Sequence, residues 1–452
     1  MNLLDPLLRW DAVDAVFTDR ACLQRILDFE AALARAEGLT GLIPKTAVPA
    51  IEKKCRAELF DIGELSRSAA LSGNIAIPLI RQLTALVART DKTAAGFVHW
   101  GATSQDAIDT GLVLQLRQAF NLISEDLHQL SQILVKLIVA HRATPIAGRT
   151  WMQHALPTTF GLKVAGWLDA IERHRGRLGE TQNRCLALQF GGAVGSLAAL
   201  GSRGMDVARN LAKDLGLSLP DVPWHSHRDR MAEVAATLGL CVGTFGKIAR
   251  DISLHMQTEV AELSEPMAEG RGGSSTMPHK RNPVSSAVIL STAARIPGLV
   301  STMLTAMVQE DERGLGGWQA EWETMPQVVS LTAGALHHLV VILPRLDVDA
   351  ERMRTNLEIS NGLLFAEAVT MALGQKIGRP QAHELIEAAC ARSGKEKLQL
   401  RSVLGADEKI TAHLSLSDLD RLFDARQYLG VAESFIDRVL ATSRSVQGKI
   451  KS

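Results

Sequence analysis

Apolar residues recur along much of this chain in alternating steps of four and three. Between Leu112 and Ala143, where there is no glycine or proline, Leu116, Phe120, Ile123, Leu127, Leu130, Leu134 and Leu137 form one such seam. The spacing predicts a single long helix, about 45 Å if some thirty residues are helical. It returns at Met231, Val234, Leu238, Cys241, Phe245, Ile248 and Ile252, and more loosely at Val164, Leu168, Ile171 and Leu178. Alternation with a period of two is scarce, and tyrosine occurs once, at Tyr428. The pattern therefore predicts an all-α fold, a bundle of rods packed side by side. Residues 1–110 read as an N-terminal helical domain, with Asp19 as the N-cap of a helix carrying Leu23, Ile26 and Leu27. Residues 111–355 read as the central bundle. Residues 356–452, punctuated by Gly378-Arg379-Pro380 and Leu414-Ser415-Leu416-Ser417, read as a smaller C-terminal helical domain. Seams on rods this long suggest burial against further copies of the chain, a homo-oligomer, with a monomer that buries everything internally as the alternative.

The 452 residues carry 49 Lys plus Arg against 49 Asp plus Glu, so no overall charge field recruits nucleic acid or an anionic membrane. Cys22, Cys55, Cys185, Cys241 and Cys390 are scattered and form no CxxC pair, which predicts reduced, mostly buried thiols in a cytoplasmic protein. The N-terminus lacks the basic start and apolar run of a secretory signal. No uninterrupted apolar segment reaches bilayer length; the best, Ile133 to Ala140, is broken by Lys136, and a soluble protein without a membrane span is expected.

Candidate chemistry concentrates in three segments. Residues 270–283 combine Gly270, Gly272 and Gly273 with Ser274, Ser275, Met277, Lys280 and Asn282 between Pro278 and Pro283. Glycines at one end and prolines at the other predict a loop that closes over an anionic substrate. A second cluster is His99-Trp100-Gly101-Ala102-Thr103-Ser104-Gln105-Asp106, with Asp109 and Thr110 behind it. Its hydroxyls suit helix capping and carboxylate binding equally well, because both use the free amides of a helix N-terminus. The third, Gly148-Arg149-Thr150-Trp151-Met152-Gln153-His154 through Gly161, reads as a loop entering a helix.

Together these segments resemble the three signature boxes of the fumarase, aspartase and argininosuccinate lyase superfamily, in the expected order. The loop matches its Gly-Ser-Ser-x-Met-Pro-x-Lys-x-Asn form, the second cluster its His-x-Gly-x-Thr-Ser-x-Asp form, and the third its Gly-Arg-Thr-His-x-Gln-x-x-x-Pro-Thr-Thr-Phe-Gly form. The resemblance implies a homotetramer whose sites each combine boxes from three subunits. It also implies that Ser274 moves the substrate proton, that Lys280 and Asn282 hold one substrate carboxylate, and that Thr103 and Ser104 hold another, with Met277, Thr158 and Trp151 lining the site. No cofactor and no metal are implied.

This chain departs from the boxes at Trp151, where lyases of the superfamily usually have histidine. That histidine is associated with proton transfer at the leaving group, which an amine or hydroxide needs and a carboxylate does not. Trp151 therefore points to a β substituent that is itself a carboxylate oxygen, and to the branch of the superfamily that closes a carboxylated muconate to a lactone. Two alternatives stay open here: His154, three residues on and on the same face if the segment is helical, replaces the acid, or Trp151 is a packing residue. Adenylosuccinate lyase is the runner-up, although Gly191-Gly192-Ala193-Val194-Gly195-Ser196 matches no phosphate-binding turn. A non-catalytic, crystallin-like structural role is the reading from another class. Arg313, in the polar run Gln309 to Arg313, is a candidate for a third substrate carboxylate, and Arg228, beside His227, is a candidate site-lining cation. His225 and His227 without partners at ligand spacing make no zinc site.

Overall fold

The computed structural model describes residues 3–267, 272, 273, 277 and 279–450, the last six without their side chains. Eight elements position the site: helix α1 (Asp19–Thr40), helix α2 (Ser104–His141), strands β1 (Pro145–Thr150) and β2 (Gln153–Thr159), and helices α3 (Phe160–Cys185), α4 (Asp229–His255), α5 (Val284–Thr305) and α6 (Gly317–Ile342). Shorter helices make up most of the remainder, so the all-α expectation holds. The seam residues Leu116, Phe120, Ile123, Leu127, Leu130 and Leu134 of α2 are fully buried, as are Met231, Val234, Leu238, Phe245, Ile248 and Ile252 of α4 and Val164, Leu168 and Ile171 of α3. A 38-residue helix such as α2 is about 57 Å long. It begins eight residues before the glycine-free stretch at Leu112 and runs through Gly111, where a β-carbon would lie 3.2 Å from Ile26 of α1. That glycine is a close-packing position rather than a break. Helix α1 is capped one residue earlier than expected: Thr18 Oγ1 accepts from Ala21 N, and Asp19 is the first helical residue.

The chain packs as two compact units. One gathers Met1–Leu127, His174–Phe245 and Val288–His337; the other gathers His128–Arg173, Gly246–Ala287 and His338–Ser452.

Two readings need correction. The segment expected as a loop before a helix is a hairpin, with β1 and β2 antiparallel, Pro145 opposite Thr159 and Thr150 opposite Gln153. Its register shifts between Ala147 and Arg149, and a β-carbon on Gly148 would meet the Leu156 carbonyl at 2.7 Å. A second short pair joins Leu263–Ser264 to Asp347–Val348. Secondly, three described helices are long and apolar enough to cross a membrane, namely Asp229–His255, Val284–Thr305 and Gly317–Arg345. Scanning for unbroken apolar runs missed them because small and hydroxyl residues interrupt each run without lowering its mean hydropathy much. The most apolar windows of the first and third are 61% and 72% buried within the protein, which identifies them as core rods, whereas that of α5 is only 28% buried.

Candidate functional site

In the first unit, the polar residues at the start of α2 divide into those bonded within the fold and those whose side chains no other described residue engages. Asp106, fully buried, accepts hydrogen bonds from the backbone N–H groups of Thr103 (3.0 Å), Gly191 (3.0 Å) and Gly192 (2.9 Å), and pairs with His225 Nε2 at 2.7 Å. Thr110 Oγ1 donates to the Gln189 carbonyl at 2.9 Å. These bonds bind the helix start to the 189–193 turn and to the segment around His225. The side-chain hydroxyls of Thr103 and Ser104 are engaged by no other described residue, and both residues are half-buried. The Asp106 and Ala107 amides bond to the Thr103 carbonyl, so the first-turn amides left beside these hydroxyls are those of Ser104 and Gln105, which suit an anion.

Asp109, one turn further on, accepts from Gln105 Nε2 at 3.1 Å, Trp318 Nε1 at 2.9 Å, and Arg228 Nη1 and Nη2 at 2.6 and 3.1 Å. Arg228 also donates to Glu321 through Nε at 2.9 Å and Nη2 at 2.5 Å, and its guanidinium lies 4.8 Å from the centroid of the Trp224 ring. The structure therefore corrects the expectation for Arg228. It is 1% exposed, its charge is already met by two carboxylates, and it braces the starts of α2, α4 and α6 rather than facing a substrate. Burial pushes the Glu321 carboxyl upward and outweighs the opposing pull of Arg228. Arg313 gives Nε and Nη2 to the carbonyls of Gly192 and Ala193 at 3.0 to 3.1 Å, so part of its guanidinium holds the same turn that Asp106 holds.

His99, named from the sequence only as the first residue of its cluster, has a partner the sequence did not reveal. Its backbone has φ 56°, a left-handed angle that costs a histidine energy, and its Nδ1 lies 2.7 Å from Glu30, which is 1% exposed. Burial pulls the imidazole pKa down, but the Glu30 charge and hydrogen bond prevail and raise it. Glu30 lies 69 positions upstream on α1, and no spacing signal links the two.

In the second unit, the hairpin turns at Trp151 and Met152, both left-handed with φ 51° and 65°. Trp151 is 96% exposed, which rules it out as a packing residue within the chain. His154 stands in β2 opposite Arg149, so the helical face it was expected to share with Trp151 does not exist. Burial, assisted by the Arg149 charge, holds the half-buried His154 imidazole below its ordinary range and so disfavours its acid form. Thr158 is half-buried in the same strand, opposite Ile146. Arg149 is not free: Nη1 and Nη2 reach Glu262 at 3.0 and 2.8 Å, and Glu262 also pairs with His255 Nδ1 at 2.5 Å and accepts from Asn356 Nδ2 at 2.8 Å.

Of the glycine-rich segment, Ser274, Ser275, Thr276, Pro278 and Gly270 lie outside the described residues. Gly272 has φ 77°, and its carbonyl accepts from Asn282 N at 2.9 Å, which joins the two sides of the segment. Lys280 and Met277 are exposed and Asn282 is half-buried. The Lys280 amide donates to the Met277 carbonyl at 3.0 Å. The second unit thus holds Lys280, Asn282, Met277, Trp151, His154 and Thr158, while the first holds Thr103, Ser104, Arg313 and Arg228.

A family model described as lyase matches residues 9–298, and one described as adenylosuccinate lyase C-terminus matches residues 362–439. The chain is 55% identical over 427 residues to the 3-carboxy-cis,cis-muconate cycloisomerase of Pseudomonas aeruginosa, covering 94% of this chain and 93% of the relative. It is 53% identical over 438 residues to the enzyme of the same name from Bradyrhizobium diazoefficiens, covering 97% of each. Among solved structures, the 3-carboxy-cis,cis-muconate lactonizing enzyme from Pseudomonas putida superposes with a TM-score of 0.94 at 51% identity, covering 98% of this chain and 99% of that one.

Proposed function

Since the chain belongs to the lyase family, which is the superfamily its three boxes resemble, we propose that it is a cycloisomerase interconverting 3-carboxy-cis,cis-muconate and a carboxymuconolactone. Its full-length similarity to relatives that share this one activity carries the reading, and Trp151 in place of histidine agrees with it. In the closing direction, an oxygen of one substrate carboxylate bonds to the carbon β to a second carboxylate. The electron pair of the double bond moves into that second carboxylate to give a dianionic aci-carboxylate. Lys280 and Asn282 stabilise this charge, and the Ser274 hydroxyl delivers a proton to the α carbon. In the opening direction the leaving group is a carboxylate, which departs without a proton, so an exposed indole replaces the acid at no chemical cost. Thr103, Ser104 and the first-turn amides of Ser104 and Gln105 hold a further carboxylate. Met277, Thr158 and Trp151 line the site, and no cofactor takes part.

The active form in this reading is a soluble, cytoplasmic homotetramer with sites shared between subunits. Support comes from α5, whose apolar surface is left largely bare in one chain: Leu304 is 51% exposed, and Val308 just beyond the helix is 84% exposed. The three-domain partition with boundaries near residues 110 and 355 belongs to the same reading; the gap between the two family matches, from 298 to 362, supports the second boundary alone, because the first match and α2 both run through residue 110.

The test is the ultraviolet absorbance of 3-carboxy-cis,cis-muconate mixed with the purified protein, with adenylosuccinate in a parallel cuvette. Loss of the diene band with adenylosuccinate untouched is expected. An unchanged diene with AMP released in the other cuvette overturns the proposal.

A further inference from the structure

Glu265 lies seven residues before Gly272 and is only 5% exposed, yet none of the three boxes includes it. Its two carboxylate oxygens are both occupied, and by residues on the far side of the glycine-rich segment. Oε2 accepts from Ser285 N at 3.0 Å, and Oε1 accepts from Ser286 N at 2.8 Å and Ser286 Oγ at 2.7 Å. Its backbone carbonyl accepts from Arg281 Nη2 at 3.1 Å. Ser285 is fixed from a second direction, since its Oγ lies 3.1 Å from His338 Nδ1. Ser285 and Ser286 are both fully buried.

Glu265 and Ser285 are therefore buried on either side of the glycine-rich segment, and one carboxylate ties the two points together. Asn282 stands three residues before the bonded amides and Lys280 five, with the Asn282 N–H pinned in turn to the Gly272 carbonyl. A capping carboxylate that came from within the α5 turn would satisfy the same amides but would leave the segment's other end unattached.

We propose that Glu265 is a positioning residue that fixes where the Lys280 ammonium and the Asn282 amide stand relative to the reacting carboxylate, an assignment that rests on the proposed role of those two groups. Because they stabilise charge that develops during the reaction, a displacement of about 1 Å lowers turnover on the order of 100-fold while leaving ground-state binding largely intact.

The experiment compares Glu265→Gln and Glu265→Ala with the wild type, using kcat and KM for 3-carboxy-cis,cis-muconate together with circular dichroism and thermal midpoint. Glutamine retains one acceptor oxygen but turns an N–H donor toward the other amide. The expected result is a fall in kcat of about 100-fold for Gln, more for Ala, a KM within about threefold of wild type, and a folded Gln variant. A folded Gln variant with kcat within threefold of wild type overturns the proposal, as does a loss confined to the fraction that fails to fold. Hydrogen exchange on the wild-type protein gives a second measurement: the Ser285 and Ser286 amides exchange slowly if the carboxylate holds them, and exchange at the rate of free chain overturns the clamp. Wild-type protein inactive on the muconate sinks the functional reading instead, and leaves the exchange result to judge Glu265.

Discussion

Arg228→Met separates stability from substrate binding at the start of α2. Methionine keeps most of the aliphatic stem and removes the charge, leaving Asp109 and Glu321, each 1% exposed, without a cation between them. Asp109 retains its bonds from Gln105 and Trp318, whereas Glu321 loses its cation. Removing one partner of a buried ion pair typically costs about 3–5 kcal/mol, and here a single substitution strands two carboxylates. At least about 5 °C should be lost from the thermal midpoint at pH 8. The loss must depend on pH with a definite sign. Without Arg228 the Glu321 carboxyl, already raised by burial, loses the partner that pulls it down and its folded-state pKa rises further above the unfolded value, so the folded variant binds more protons than the unfolded chain. Its stability then falls as pH rises through the interval between those values. The deficit against wild type should be smaller at pH 5 than at pH 8, measured by differential scanning fluorimetry at both. A midpoint within about 2 °C of wild type at pH 8, or an equal deficit at both values, refutes the account of Arg228 as a buried brace.

Ser274→Ala should retain the assembled protein and substrate affinity while losing at least about 100-fold in turnover; near-normal kcat rejects its proton-transfer role. Burial raises the Glu262 carboxyl, but hydrogen bonds from His255, Arg149 and Asn356 prevail and hold it down to about 2. Being depressed below its unfolded value, it contributes on the order of 3 kcal/mol that is fully present above about pH 4.5 and is lost as pH falls toward 2, so Glu262→Gln should flatten the acid limb of a stability-against-pH curve. Burial pushes the Cys22 thiol up to about 11, and those of Cys185 and Cys241 up to about 12, with Cys55 raised further. A colorimetric thiol reagent at pH 8 should therefore find these four unreactive in the native protein and all five cysteines reactive after denaturation.

Long-range order was readable wherever a repeat imposed it. The four-and-three spacing of Leu116 through Leu134 and of Met231 through Ile252 identified the rods and their buried faces, because helical periodicity is a local property of the chain. The hairpin at residues 145–159 escaped because its turn is Trp151-Met152, with none of the Asn or Gly that announce a two-residue hairpin loop. The hydroxyls of Thr103 and Ser104 marked a helix start, and α2 begins at Ser104. Arg228 was misread because nothing near it in sequence reveals Glu321, 93 residues away, or Asp109, 119 residues away. Separation likewise hid the partnership of His99 with Glu30, 69 residues apart, and Glu265, 20 residues before Ser285, carries no signal in any of the three boxes.

The hairpin tip also bears on how this scaffold acquires new reactions. Trp151 presents almost its whole surface to solvent within its own chain, and its left-handed backbone is held by the paired strands on either side. The left-handed angle disfavours β-branched residues there, but no packing within the chain selects among the others. On the function proposed above, substitution of that one residue changes what kind of leaving group the site tolerates, while the buried carboxylates and guanidinium that hold the rods together remain unaltered.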